Sequence, residues 1–213
     1  NRDQADGDRD GLGDVCEWDG HESVFSRFVY FEAFNTLTLG SLDPDPNGSW
    51  FAGADEIRSS STREGGTNAW SNNPIIRPPY AVEMTFRATR IDTEESSWAG
   101  IVVSGRPSSG PNRWWYCGYY FQDSAVDLWS NNGTSYDRVI RGSSLSHSTL
   151  YPTLTVRVDV DATNAITCSI WNATEWLDDV AAPNAHHWTD MSGAYGLRTY
   201  LSDVEYSSLI VYQ

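Results

Sequence analysis

The chain has 213 residues, a formal net charge of −15 and a sequence pI near 4.4, and all fourteen of its basic residues are arginine. So acidic a surface repels nucleic acid and anionic lipid, which excludes both as partners. Hydrophobic residues at 39% and aromatics at 13% suffice for a packed core, the length suits one sandwich domain better than two, and no apolar run approaches the roughly 20 residues a bilayer span needs.

The first element is the stretch 6–17, DGDRDGLGDVCE, which places Asp6, Asp8, Asp10, Asp14 and Glu17 at the first, third, fifth, ninth and twelfth positions of a calcium loop. Gly11 falls at the sixth position, where the backbone turns sharply, and the Leu12 carbonyl is left to supply the seventh-position oxygen. Carboxylates this close repel one another unless a hard cation neutralises them, and Ca2+ suits the spacing. Neither flank has the apolar periodicity of an EF-hand helix. The full string NRDQADGDRDGLGDVCE at 1–17 instead resembles a thrombospondin type 3 repeat. Arg2 stands where that family usually has proline and Glu17 where it usually has aspartate, and neither change removes an oxygen ligand. The resemblance implies a calcium-binding domain over 1–20 with little other structure, in a secreted or cell-surface protein. It also implies neighbouring calcium repeats as partners, with Cys16 bonded to a cysteine of a neighbouring repeat. The chain is therefore expected to begin inside a longer array, as a mature segment without its signal peptide.

From Val24 onward, short alternating runs are separated by Gly, Pro, Asn and Asp, the spacing of an all-β sandwich. Strands are expected at 25–34, 49–58, 81–89, 97–104, 113–122, 125–131, 135–141, 154–160, 166–170, 194–199 and 204–212. In AVEMTFRAT at 81–89, Val82, Met84, Phe86 and Ala88 share the inward face. Leu154, Val156, Val158 and Val160 do the same, as do Ile166, Cys168 and Ile170 after a turn around 161–164. Cys117 and Cys168 lie in strand-like runs and either bond to each other or remain buried thiols, alternatives the sequence leaves open. The order of features resembles the concanavalin A-like lectin/glucanase group, also seen in laminin G-like domains: FEAFNT, a Trp50 strand, AGIVVSGR, WWYCGYYF, an Asn-Gly hairpin, the LTVRVDV–ITCSIW hairpin and a closing GAYGLRTYLSDVEYSSLIVYQ. The resemblance covers nearly all of 24–213 and implies a two-sheet antiparallel jelly-roll sandwich over 21–213.

One hairpin can be read residue by residue. A two-residue turn at Asp123–Ser124 pairs Gln122 with Ala125, Tyr120 with Asp127 and Gly118 with Trp129, and puts Phe121, Tyr119, Val126 and Leu128 in the core. Trp114, Tyr116, Tyr120 and Trp129 then form an outward row beside Gln122 and Asp127. A turn at Asn132-Gly133 brings Tyr136 opposite Trp129 and Arg138 opposite Asp127, and strains the register by turning Asp137 inward. Outward rings beside amides and carboxylates suit a sugar, whose apolar faces stack while its hydroxyls meet the polar groups. The alternative is that the rings are covered by loop 105–113 or 176–190, or only pair across strands, with Trp129 shielding Gly118. Trp50 and Trp188 are assigned to packing, while Trp171 and Trp176 fit either role.

Several strings suggest catalysis without completing it. EWDGHE at 17–22 has the Glu-x-Asp-x-x-Glu spacing of laminarinase-like glycosidases, but it precedes the sandwich and shares Glu17 with the calcium loop. Gly118, Tyr120 and Gln122 are similar to a strand of alginate-lyase-like jelly rolls, and TRE at 62–64 faintly echoes that family's arginine strand. The histidine base is missing, since 99–103 read AGIVV. His21, His147, His186 and His187 lie in loops, with no spacing that supports zinc. Asn47, Asn132 and Asn172 begin Asn-x-Ser/Thr acceptor strings.

The expected function is non-catalytic: a lectin-like or adhesive module that binds a polysaccharide or a glycoprotein glycan, with structural calcium. A polysaccharide lyase or glycoside hydrolase is the second reading, and a self-associating extracellular structural subunit the third. Isothermal titration should show calcium uptake by the intact chain, with thermal stabilisation by mass action. No uptake would contradict the ligand set Asp6, Asp8, Asp10, Leu12, Asp14 and Glu17.

Overall fold

A computed structural model describes residues 28–32, 34, 42–45, 49–53, 55–61, 66–72, 76–92, 96–105, 113–144, 153–172, 176–182 and 191–213. The calcium loop at 6–17, EWDGHE, TRE, the four histidines, Cys16, Asn47 and Trp188 lie outside these residues. Regular structure among the described residues is entirely β. The strands are β1 (Phe28–Glu32), β2 (Leu42–Pro44), β3 (Ser49–Ala52), β4 (Ile57–Ser60), β5 (Thr67–Ser71), β6 (Tyr80–Ile91), β7 (Trp98–Gly105) and β8 (Arg113–Tyr120). They continue as β9 (Ala125–Asn132), β10 (Tyr136–Arg141), β11 (Thr153–Val160), β12 (Ile166–Asn172), β13 (Trp176–Ala182), β14 (Ala194–Tyr200) and β15 (Ser202–Tyr212).

Two antiparallel sheets form the sandwich. One runs β13-β12-β11-β6-β15-β4-β3, with β1 also paired to β15; the other runs β10-β9-β8-β7-β14-β5-β2. The period-two pattern decides which side chains lie between them. Val82, Met84 and Phe86 of β6 are fully buried, as are Val156 and Val158 of β11, and the register sets Val156 beside Met84 and Val158 beside Val82. Ala99, Ile101, Val103, Trp115, Cys117, Tyr119, Val126, Leu128 and Leu197 face them from the second sheet. Burial of each large apolar side chain contributes roughly 1.5–3 kcal/mol. Phe121 closes one end of this core, edge-on to Phe86 at 6.4 Å between centroids.

The two outer faces differ. On the first sheet the outer face is polar and laced with ion pairs, Arg87–Glu205 at 2.6 Å, Arg90–Asp203 at 2.7 Å and Arg157–Asp159 at 2.9 Å. That of the second sheet is aromatic, with Trp70, Val102, Trp114, Tyr116 and Ala194 buried together and Trp98 and Trp129 packed against them.

The expected two-sheet antiparallel sandwich is the observed one, with local corrections. The strand expected at 49–58 is two, because the chain turns at 53–56, where Gly53 N–H donates to the Glu56 carbonyl. Strands β2, β5 and β13 were not foreseen. Trp176, assigned above to a loop, begins β13. Trp50 does pack, its indole N–H donating to Thr67 Oγ1 at 2.7 Å.

The open choice for the thiols resolves as a Cys117–Cys168 disulfide, with Cα atoms 5.5 Å apart and a sequence separation of 51. It ties β8 of one sheet to β12 of the other. Replacing both cysteines with serine should lower the unfolding free energy by about 2–4 kcal/mol in urea without loss of far-UV strand signal. An unchanged midpoint would contradict a stabilising cross-link.

Candidate functional site

The site is built on β7, β8, β9, β10 and β14. The turn after β8 has four residues, 121–124, rather than the two expected, and Ser124 adopts φ 51° there. Pairing is therefore shifted by two: Tyr120 meets Ala125, Gly118 meets Asp127 and Tyr116 meets Trp129. Side-chain direction repeats every two residues, so the face assignment survives the shift. Trp114, Tyr116, Gly118 and Tyr120 lie on the outer face with Asp127 and Trp129, opposite Trp115, Cys117 and Tyr119.

The outer row is not simply exposed. Trp114 and Tyr116 are each 2% accessible, while Trp129 is half-buried and Tyr136 is 60% exposed. Close approach of two backbones explains the depth. Gly100 pairs directly with Gly118, and a Cβ at Gly118 would stand 2.1 Å from the Tyr116 hydroxyl, one at Gly100 2.8 Å from the same ring. Tyr116 thus lies over two glycines, and it, not Trp129, shields Gly118. Burial raises the Tyr116 phenol well above its ordinary pKa, so it stays neutral. Both its hydroxyl and Trp114 Nε1 are buried without a hydrogen-bond partner among the described residues.

Trp98 is the hub of the ring network and was missed as a site residue. It stacks on Tyr200 at 4.1 Å and 10°, on Trp129 at 6.0 Å and 21°, and on Tyr120 at 6.2 Å and 23°. Trp114 and Tyr136 form a second contact, 5.4 Å apart and tilted. Trp98, Trp129, Tyr136 and Tyr200 form the accessible wall of a cavity of about 290 Å³, and Trp114, Tyr116 and Arg198 its buried floor, with Gly66 beside Arg198. Arg198, Tyr200 and Gly66 were also missed; the alternation in AYGLRTY, which sets Gly196, Arg198 and Tyr200 on one face, was the usable signal.

Asp127 does not meet Arg138 as expected. The turn after β9 spans 132–135 rather than two residues, so Tyr136 pairs with Asn131 instead of Trp129 and Arg138 pairs with Trp129; a register irregularity between Arg138 and Ile140 then brings Arg141 opposite Asp127. Arg141 donates from Nε to Asp127 Oδ1 and from Nη2 to Oδ2, both at 2.7 Å, and also pairs with Asp123. The Asp127 hydrogen bond raises the Arg141 pKa further, though burial opposes it. Trp129 Nε1 donates to Asp127 Oδ2 at 3.2 Å, which fixes the indole. Arg138 instead lies 5.6 Å from the Trp129 ring centroid. Asp137 pairs with Ser130 and is exposed, so the strain foreseen for an inward Asp137 is absent.

Two more expected site residues have local partners. Gln122 sits in the turn, its Oε1 accepting from Ser97 N–H at 2.7 Å and its Nε2 donating to the Asp92 carbonyl at 2.6 Å, which links Asp92 to Ser97. The Tyr120 hydroxyl shares a 2.6 Å hydrogen bond with Ser96, and the Arg141 guanidinium carbon lies 4.3 Å from the Tyr120 ring centroid. Asn132 holds its own turn, its Oδ1 accepting from the Thr134 and Ser135 amides. Among the described residues no group of three or more His, Cys, Asp or Glu side chains could hold a metal ion.

No protein-family model matches the chain, and no curated protein does so. Solved structures do match in fold. A protein of unknown function with a galectin-like fold from Bacillus subtilis superposes with a TM-score of 0.66 at 11% identity, over 87% of this chain and 96% of that one. The exoplasmic/lumenal domain of VIP36, bound to Ca2+ and Man3GlcNAc, gives 0.63 at 12% identity, over 87% and 90%. The carbohydrate-binding module CBM66 from Bacillus subtilis gives 0.61 at 9% identity, over 81% and 96%. The sandwich therefore has the jelly-roll fold shared by galectin-like and concanavalin-like lectins.

Proposed function

We propose that this chain is a non-catalytic carbohydrate-binding module whose ligand lies in the aromatic cavity on the outer face of the second sheet. The observation that carries this reading is the wall of Trp98, Trp129, Tyr136 and Tyr200 around about 290 Å³ of space. That volume falls near the lower end of ligand pockets, roughly 300–1,000 Å³, and suits a short glycan segment. Flat rings at differing tilts accept the C–H faces of a pyranose, and the polar atoms at the floor and rim are placed to meet its hydroxyls. The structural neighbours described as a carbohydrate-binding module and as a glycan-bound domain support the same reading.

The surroundings favour binding over bond cleavage. Asp127 is 1% exposed and both of its oxygens accept from Arg141, so neither is free to reach a scissile bond. Calcium belongs to the proposal through residues 1–20, where Asp6, Asp8, Asp10, Asp14, Glu17 and the Leu12 carbonyl would hold it. A secreted or cell-surface location is supported by that repeat and by the Cys117–Cys168 disulfide, since such bonds persist in oxidising compartments.

Trp129→Ala should weaken binding to a retained glycan about tenfold or more, measured by affinity electrophoresis in polysaccharide gels, with the far-UV spectrum unchanged. Undiminished retention by a folded Trp129→Ala protein would count against this cavity as the site.

A further inference from the structure

Arg198 stands apart from the other well-buried arginines. Arg141 and Arg157 are each partly sheltered and each pairs with an aspartate. Arg198 is more buried than either, 7% accessible, and forms no ion pair among the described residues. Its Nη1 donates to the neutral Asn68 Oδ1 at 2.7 Å. The Asn68 side chain is oriented by Asp45, whose Oδ2 accepts from Asn68 Nδ2 at 2.7 Å. The carboxylate thus lies one residue removed from the guanidinium.

Among the described residues, the remaining surroundings of Arg198 are rings, Gly66 and the cavity. Its guanidinium carbon lies 4.5 Å from the Trp114 ring centroid, a contact that offsets part of the cost of burying charge. Burial holds its pKa below the usual arginine value, opposed by nearby Tyr136, Tyr116, Asp45 and Tyr200. A Cβ at Gly66 would stand 2.5 Å from Nη2, so the missing side chain is what lets that edge of the guanidinium sit where it does, next to the cavity. Among the described residues no carboxylate lines the cavity, and Arg198 is the one formal charge.

A buried guanidinium without an anion is costly, and a planar fork of donors matches a carboxylate or sulfate in a way that a single hydroxyl does not. We infer that the glycan bound here carries an anionic group, a carboxylate or a sulfate ester, and that Arg198 pairs with it. The inference rests on the carbohydrate-binding reading of the same cavity and adds the chemical class of the ligand. The net charge of −15 is spread along the sequence, and exposed charges beyond roughly 8 Å are screened at physiological salt.

The test is isothermal titration of the full chain with oligogalacturonates and alginate oligosaccharides, each against its carboxyl-methylated form, and with chondroitin sulfate and carrageenan oligosaccharides, each against its desulfated form. Wild-type protein should bind at least one acidic oligosaccharide roughly tenfold or more tighter than its neutral twin, and the responding pair identifies carboxylate or sulfate. Arg198→Gln should bring that ratio near one, whereas Trp129→Ala should weaken acidic and neutral twins alike. Equal or tighter binding of the neutral forms would overturn the inference and leave the glycan site standing. A folded Arg198→Gln protein that keeps the acidic preference would also overturn it. No binding to any of these glycans or to neutral glycans would overturn both readings. Should Arg198→Gln fail to fold by circular dichroism, the wild-type ratio alone decides.

Discussion

Trp115 and Tyr116 are neighbours in sequence, point to opposite sides of β8, and are both almost completely buried. An antiparallel sheet at the surface of a sandwich ordinarily solvates one of its faces. Here the centre of the second sheet is dry on both. No further described strand layer covers the outer side; among the described residues its shelter comes from side chains of the sheet itself, Trp70, Trp98, Trp114, Tyr116 and Trp129. Such a self-made cover cannot close completely, because rings of fixed shape rise from strands about 4.8 Å apart. The cavity is the space they leave.

The charges around this face follow from the same constraint. Inside an aromatic cover a carboxylate needs a partner, and Asp127 has Arg141 in a two-point contact that also orients the Trp129 indole. The result is a rigid wall: a neutral ion pair supports Trp129, Trp129 stacks on Trp98, and Trp98 stacks on Tyr200. Rings already fixed in place lose little further freedom when a ligand arrives, which favours affinity from a modest contact area. The first sheet shows the contrast, since its outer Arg–Glu and Arg–Asp pairs are accessible and each worth little.

The sandwich was legible in the sequence wherever alternation was strict. Val82 to Ala88 and Leu154 to Val160 are buried as expected because a period of two admits only one inward face. The aromatic face was legible for the same reason, and a two-residue error in the hairpin left it intact. The partners of individual residues were not. A turn two residues longer than expected moved Arg138 onto Trp129, the irregularity near Val139 then moved Arg141 onto Asp127, and a bulge leaves no local mark in DRVIR. Strand β5, with Asn68, and strand β14, with Arg198 and Tyr200, reach the site from opposite ends of the chain, so only their pairing, Asn68 with Arg198, brings them together. Short strands such as Leu42–Pro44 carry too few residues to show a period. The disulfide was undecidable in advance because connectivity depends on which strands face one another across the core.

The central claim is that glycan contact is confined to the outer face of the second sheet. Hydrogen–deuterium exchange of the chain with and without a bound oligosaccharide tests it most directly. Added protection in peptides spanning 96–105, 113–120 and 194–200, with none in 153–172, is the expected result. Protection concentrated on the ion-paired face of the first sheet would contradict it.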